Sequence, residues 1–233
     1  MSEDLFIQEL KKINIEITNK TLELLNKYYE LLIEYNKHMN LTGITEKKEV
    51  YLKHFYDSLT IAKVVNLSNQ RILDIGTGAG FPGMVLKIVF KDLDITLVDS
   101  LNKRIKFLEV VKKELNLDKL HLYHARAEEF ILNNREKYDI VTSRAVAKLN
   151  ILIEYSIPYL KKEGLFIAMK SMVENELKDS SFALKTLGSV LIKTIEFKLP
   201  VEDSLRTLIV IQKKEKNSVK YPRKFNEIKR KPL

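Results

Sequence analysis

The chain has no cysteine in its 233 residues, and only seven glycines and five prolines. Without cysteine there are no disulfides, no thiolate metal sites and no cysteine nucleophiles, which suits a reducing, cytoplasmic compartment. So few glycines and prolines argue against long disordered linkers. Long apolar runs are missing too. No uncharged stretch approaches the roughly 20 residues that a membrane span needs. The opening residues, MSEDLFIQELKK, are acidic and then amphipathic, unlike a secretory signal. A soluble monomer with neither membrane nor metal attachment is expected.

What is present is ordinary in amount and uneven in placement. Hydrophobic residues make up 45%, enough for a sizeable core, and the length fits one α/β domain with a small extension. The net charge of +9 is concentrated at the end: residues 213–233 carry +7, leaving +2 for the other 212. A near-neutral body with a cationic tail suits contact with a polyanion, and equally suits a tail that is merely solvated.

Hydrophobic spacing divides the chain into regions. Residues 3–12 and 18–38 read as helices; in the second, Leu22, Leu25, Tyr29, Leu32 and Ile33 recur three and four apart, with Thr18 as N-cap and 40–43 as the stop. A third helix is expected over 47–65. From residue 71, β-branched runs (71–75, 94–99, 121–124, 138–142, 165–170) alternate with helical stretches near 82–91, 102–116, 126–134 and 147–161. That alternation predicts a mostly parallel, doubly wound, Rossmann-like α/β sheet covered on both faces. Residues 190–199 and 207–213 read as an antiparallel hairpin at one edge. The expected organisation is a helical cap (1–66), a nucleotide-binding sheet domain (67–213) and a basic tail (214–233) in one compact unit.

Asp74-Ile75-Gly76-Thr77-Gly78-Ala79-Gly80-Phe81-Pro82-Gly83 follows the first strand and precedes a helix. Glycines there let the backbone turn sharply and approach a ligand closely. The 78–83 segment also fits the dinucleotide fingerprint, so NAD(P) and an oxidoreductase remain an alternative. Asp99, ending the second strand, suits a ribose diol in either case. Three features favour S-adenosylmethionine. Asp74 is placed to complement the amino group of a methionine moiety, directly or through water. Ala127-Glu128-Glu129 follows the third strand, where an adenine edge would lie. The hairpin at the sheet edge is common in methyltransferases.

Taken in order, DIGTGAGFPG (74–83), VDSLNKRIKFLEVV (98–111), ARAEEF (125–130) and SRAVAKL (143–149) resemble the bacterial ribosomal RNA small-subunit methyltransferase G family, also called glucose-inhibited division protein B. Asn40–Ile44, His54–Leu59 and Tyr221–Lys224 strengthen the likeness, which runs from about residue 20 to the end. The resemblance implies methylation of N7 of one guanine in small-subunit (16S) ribosomal RNA, free or in the ribosomal particle, with S-adenosylmethionine converted to S-adenosylhomocysteine. It also implies cofactor contacts at Gly76, Phe81, Asp99, Ser100, Leu101, Ala127, Glu128 and Arg144, with Gly78 in the same loop. A methyltransferase for another substrate, and a non-catalytic nucleotide-binding RNA partner, are the rival readings.

Guanine N7 has a lone pair and no proton, so methylation there needs no general base and no catalytic residue is assigned. Placing N7 in line behind the methyl group is worth up to roughly 7–11 kcal/mol in well-oriented systems. Arg144 is expected to hold the cofactor, guanine O6 or a phosphate, with an ion pair to Glu128 as its structural alternative. His54 and Asp57, three apart on a helix, are expected to share a structural hydrogen bond. Arg144, Lys170, Arg223 and Lys224 are the RNA-contact candidates, with Lys103, Arg104 and Lys106 as further phosphate holders. Tyr221 and Phe225 are placed either to stack on bases or to pin the tail to the body.

Overall fold

A computed structural model describes residues 1–144, 147–171, 173 and 176–233. Ala145 and Val146 of the SRAVAKL motif lie outside them. The chain begins with α1 (Glu3–Lys11) and α2 (Asn19–Met39). As expected, Thr18 caps α2, its hydroxyl accepting the Thr21 N–H at 3.2 Å, and Asn40 ends it in the left-handed region. Residues 47–65 do not form one helix. They run as α3 (Lys47–Val50), a π-helical stretch (Tyr51–Tyr56), α4 (Asp57–Leu59) and a 3₁₀ turn (Thr60–Lys63). The wide turn has a tertiary cause: the Lys53 carbonyl accepts a hydrogen bond from Arg144, 91 residues away.

Then follow β1 (Arg71–Ile75), α5 (Gly83–Val89), β2 (Asp94–Asp99), α6 (Asn102–Glu114), β3 (Leu120–His124), α7 (Ala127–Phe130), β4 (Tyr138–Arg144), α8 (Leu149–Ser156) and β5 (Leu160–Lys170). The remainder is α9 (Glu176–Asp179), α10 (Ser181–Thr186), β6 (Ser189–Lys198), β7 (Leu205–Lys213) and α11 (Phe225–Arg230). The sheet order is β3-β2-β1-β4-β5-β7-β6, parallel as far as β5, with β7 antiparallel to both of its neighbours. The expected α/β sheet and edge hairpin are both present. β7 takes the inner place because it carries the continuous apolar run Leu208–Ile211, whereas β6 leaves most of its residues exposed at the edge.

Each face of the sheet has its own core. On one, Phe6, Leu25, Tyr28 and Phe55 of the N-terminal helices pack in one cluster with Met84, Leu97 and Phe107. On the other, Leu149, Ile153, Tyr159 and Ile211 pack with Tyr221 and Ile228 of the C-terminal segment. The tail is therefore folded against the body. Because β1 and β4 are neighbours whose connections leave in opposite directions, a cleft opens at their carboxyl ends, where open α/β sheets bind ligands.

Candidate active site

The loop after β1 forms the floor of that cleft. Gly76, Gly78 and Gly80 all have positive φ, at 69°, 62° and 106°. At Gly80 a Cβ would stand 2.6 Å from the Tyr28 hydroxyl and 2.8 Å from Met84 Cβ, so only glycine fits. Tyr28, fully buried on α2, donates its hydroxyl to the Ala79 carbonyl and stacks on Phe55 at 5.6 Å, which ties the helical cap to the loop. Its phenol is pushed well above the usual range by burial, so it acts as a fixed donor.

Asp74 lies beneath the loop, fully buried, and does not line the cavity above it. Its Oδ2 accepts from Thr77 Oγ1 (2.6 Å) and from the Gly83 N–H (2.9 Å), while Oδ1 is buried without a partner. Burial raises its pKa to about 6, against the pull of those two hydrogen bonds. The carboxylate expected to complement a methionine amino group, directly or through water, thus lies under the loop with one oxygen bonded to it. The same geometry weighs against a dinucleotide: the N–H at the start of α5, where pyrophosphate would dock, is taken by a carboxylate of the same sign.

Three cavities line the cleft in succession. The middle one, about 370 Å³, is bounded by Gly76–Ala79, Phe81, Asp99, Ser100 and Arg104, and on the cap side by Thr42, His54 and Arg144. A smaller one of about 120 Å³ shares Gly76, Asp99 and Ser100 with it and adds Ala127, Glu128, Tyr155, Arg126 and Phe225. The third, about 450 Å³, shares His54 and Arg144 and adds Lys53, Asp57, Lys170, Glu176 and Arg206. All the expected cofactor residues but Leu101 line one of these spaces. Leu101 is 44% exposed, and its N–H serves Asp99 Oδ1 at 2.9 Å. Asp99 also accepts from Gly78 N at 2.9 Å and from Arg104 at 3.1 Å, so a ribose diol would have to share this carboxylate or displace Arg104. Glu128 is raised by burial.

Arg144, at the end of β4, does not reach Glu128. Its Nη1 bonds the Lys53 carbonyl (2.9 Å) and Asp57 (3.2 Å), its Nη2 faces His54 Nδ1 (3.3 Å), and its plane lies 5.1 Å from the Phe81 ring centroid. The ion pair is made with Asp57 because the cap, rather than α7, covers this strand end. His54 and Asp57 accordingly share Arg144 rather than a hydrogen bond with each other. His54 Nδ1 lies 3.2 Å from the Lys53 carbonyl as well as beside Arg144, and Nε2 lies 2.8 Å from Thr42 Oγ1, so the ring is bonded on both sides in either neutral tautomer. Burial and the Arg144 charge lower the His54 pKa to about 3, which keeps the ring neutral. Its ring stacks on Phe81 at 4.3 Å. The other oxygen of Asp57 takes Arg206 Nε at 3.2 Å, from β7.

The proposed RNA cations fare differently. Lys170 is committed to Glu176 (2.8 Å) and the Ala147 carbonyl (2.7 Å). Arg223 gives its backbone N–H, Nε and Nη2 to the fully buried Glu154 at 2.6–2.9 Å, so it anchors the tail. Lys103 donates to the Met39 carbonyl, and Arg104 pairs with Asp99. Lys224 and the Lys229–Lys231 run are exposed. His121 bonds Asp94 and His124 the Ser100 carbonyl, both near the surface. Among the described residues, no group of three or more acidic or histidine side chains is placed to hold a metal, and no helix is long and apolar enough to cross a membrane.

Tyr28 and Arg206 belong to the site or its walls, yet nothing local in the sequence singles them out; only their distant partners, reached through the fold, reveal them. Thr42 and Arg126 lie within the 40–44 and 125–130 motifs, whose other residues drew the attention.

Comparison with known proteins agrees with this geometry. A solved structure described as a SAM-dependent O-methyltransferase from Thermotoga maritima superposes with a TM-score of 0.54 at 19% identity, covering 80% of this chain and 72% of that one, which shows a shared fold. Two proteins named ribosomal RNA small subunit methyltransferase G align over the full length of both chains, at 44% identity from Lactococcus lactis subsp. lactis and 46% from Lactobacillus helveticus. Residues 21–205 match the family described as rRNA small subunit methyltransferase G. The chain belongs to the rRNA small subunit methyltransferase G family.

Proposed function

We propose that the protein transfers a methyl group from S-adenosylmethionine to N7 of a guanine in small-subunit ribosomal RNA, releasing S-adenosylhomocysteine. The observation that carries this reading is the run of three neighbouring cavities, each sharing lining residues with the next, across the β1/β4 cleft, in a chain of this family. The smallest, between Ala127, Glu128 and Tyr155, suits a purine; the middle one, over the glycine loop, suits the ribose and the amino-acid part; the third, behind Arg144 and His54, is left for the substrate base.

The chemistry of the residues suits this cofactor. A sulfonium nucleoside carries its positive charge near two buried carboxylates, Asp74 and Asp99. When bound, it supplies an electrophilic methyl group. Gly76, Gly78, Phe81 and Asp99 would hold it, with Ala127 and Glu128 at the purine end.

N7 as the acceptor agrees with the state of the third cavity. Among the described residues its candidate bases are engaged: His54 is neutral with both ring nitrogens bonded, Asp57 lies between Arg144 and Arg206, and Glu176 pairs with Lys170. Methylation of an exocyclic amine has a proton to dispose of, whereas methylation of N7 does not. Positive charge that develops on the purine would be opposed by the Arg144 guanidinium and offset by the Asp57 carboxylate beside it. Because Arg144 is tied to Asp57 and the Lys53 carbonyl, it is held in place and need not occupy N7. A guanine reaching this depth has to be unpaired or flipped from its helix. The exposed Lys224 and Lys229–Lys231 are suited to phosphates.

The test is methyl transfer from labelled S-adenosylmethionine to small-subunit RNA, and to the corresponding particle, from cells lacking the protein. The modified base is then located by borohydride reduction and aniline cleavage, which report 7-methylguanine. Label at an exocyclic nitrogen or a ribose oxygen, or label on neither substrate, would defeat the N7 reading.

A further inference from the structure

The C-terminal segment reaches the purine end of the cleft. Phe225, the first residue of α11, lines the 120 Å³ cavity together with Ala127, Glu128 and Tyr155. Its ring remains 39% exposed, although it lies 4.7 Å from the Arg126 guanidinium, which covers it on one side. Arg126 lines the same cavity and is the residue just before α7. The segment is held there at three points: the Arg223–Glu154 pair, the Arg135 hydrogen bond to the Tyr221 carbonyl, and the burial of Tyr221 and Ile228 in the second core.

An aromatic ring backed by a guanidinium, lining a small cavity that shares Gly76, Asp99 and Ser100 with the glycine-loop cavity, is a stacking surface for a flat heterocycle. We infer that Phe225, with Arg126 behind it, is the wall against which the adenine of the cofactor packs, so that the basic C-terminal segment is part of the cofactor site. This rests on the cofactor reading above.

The test is calorimetric titration of S-adenosylhomocysteine and of adenosine into the full-length protein and into Phe225→Ala and Phe225→Tyr. A lost stacking ring at a half-exposed site corresponds to about a five- to tenfold weaker Kd, the low end of base–aromatic stacking. Expected are that loss in Phe225→Ala for both ligands, and parental affinity in Phe225→Tyr, which keeps the ring. Equal affinity in Phe225→Ala and the parent would overturn the inference. So would equal loss in both variants, which would assign the effect to anchoring of the tail. If the unaltered protein bound neither ligand, the cofactor reading itself would fall, an outcome distinct from these two.

Discussion

Replacing Asp74 by asparagine is expected to make the ligand-free protein more stable and the ligand bind less well. The carboxyl group is fully buried, and burial lifts its pKa from 3.8 to about 6. A folded-state pKa above the unfolded one means that the folded protein binds the proton more tightly. The stability cost is therefore absent below pH 4, grows as pH rises to about 6, and is constant above. At about 1.4 kcal/mol per unit, the cost at pH 7.5 is about 3 kcal/mol. The asparagine oxygen can keep the bonds to Thr77 and Gly83, while its amide nitrogen inherits the unpartnered position of Oδ1. About 3 kcal/mol is accordingly the ceiling for the gain, or up to roughly 6–12 °C in Tm for a chain of this size. The lost negative charge, acting across roughly 10 Å at an effective dielectric near 20, should weaken binding of the net cationic S-adenosylmethionine by about 1–2 kcal/mol, some five- to thirtyfold, and that of the net neutral S-adenosylhomocysteine by less. Chemical denaturation of both proteins from pH 4 to 8, with calorimetric titration at pH 7.5, measures both effects. A Tm difference independent of pH, or Asp74→Asn binding the ligand as tightly as the parent, would refute the reasoning.

Other perturbations probe the rest of the site. Glu128→Ala should weaken cofactor binding about fivefold by titration, since it removes a polar wall of the purine cavity. Gly76→Val should weaken it more than about tenfold, because a β-branched residue is strained at a φ of 69° by about 1–3 kcal/mol. Neutralising Lys229, Arg230 and Lys231 to glutamine should raise the KM for RNA and lower the slope of log KM against log salt by about 2, at about 0.7 per lost phosphate contact. Arg223→Ala removes both guanidinium bonds and leaves the buried Glu154 only the backbone N–H of residue 223, at up to about 3–5 kcal/mol, and should lower Tm by about 10 °C. An unchanged Tm would show that the tail is held some other way.

The parts of the molecule that could be read from the sequence are those set by neighbours in the chain. β1 and β2 lie where expected to the residue, because each is a short apolar run flanked by polar residues. The loop after β1, Asp99, Ala127, Glu128 and Arg144 could be placed for a related reason: each follows or ends a strand, and all of them line the cavities at the strand carboxyl ends. Where distant residues decide, periodicity misleads. The 47–65 helix is remodelled around Arg144. β5 starts at Leu160, five residues early, because Leu160 pairs with Tyr138 across a register shift that the polar Lys161–Gly164 stretch conceals. The tail reads as a charge run because its anchors, Tyr221, Arg223 and Ile228, are spaced too sparsely to form a pattern, and because Glu154 lies 69 residues away. Asp57 and Arg206 are separated by 149 residues, and no local signal joins them.

That last contact has a consequence for how the protein comes into being. One carboxylate, supplied before the first strand is made, is balanced by cations from β4 and from β7, the final strand to enter the sheet. A chain cut between residues 145 and 205 would keep its glycine loop and one of the two arginines, yet border its third cavity with a carboxylate that lacks its second cation. The wall of that cavity is then finished only when the last strand of the sheet has been made.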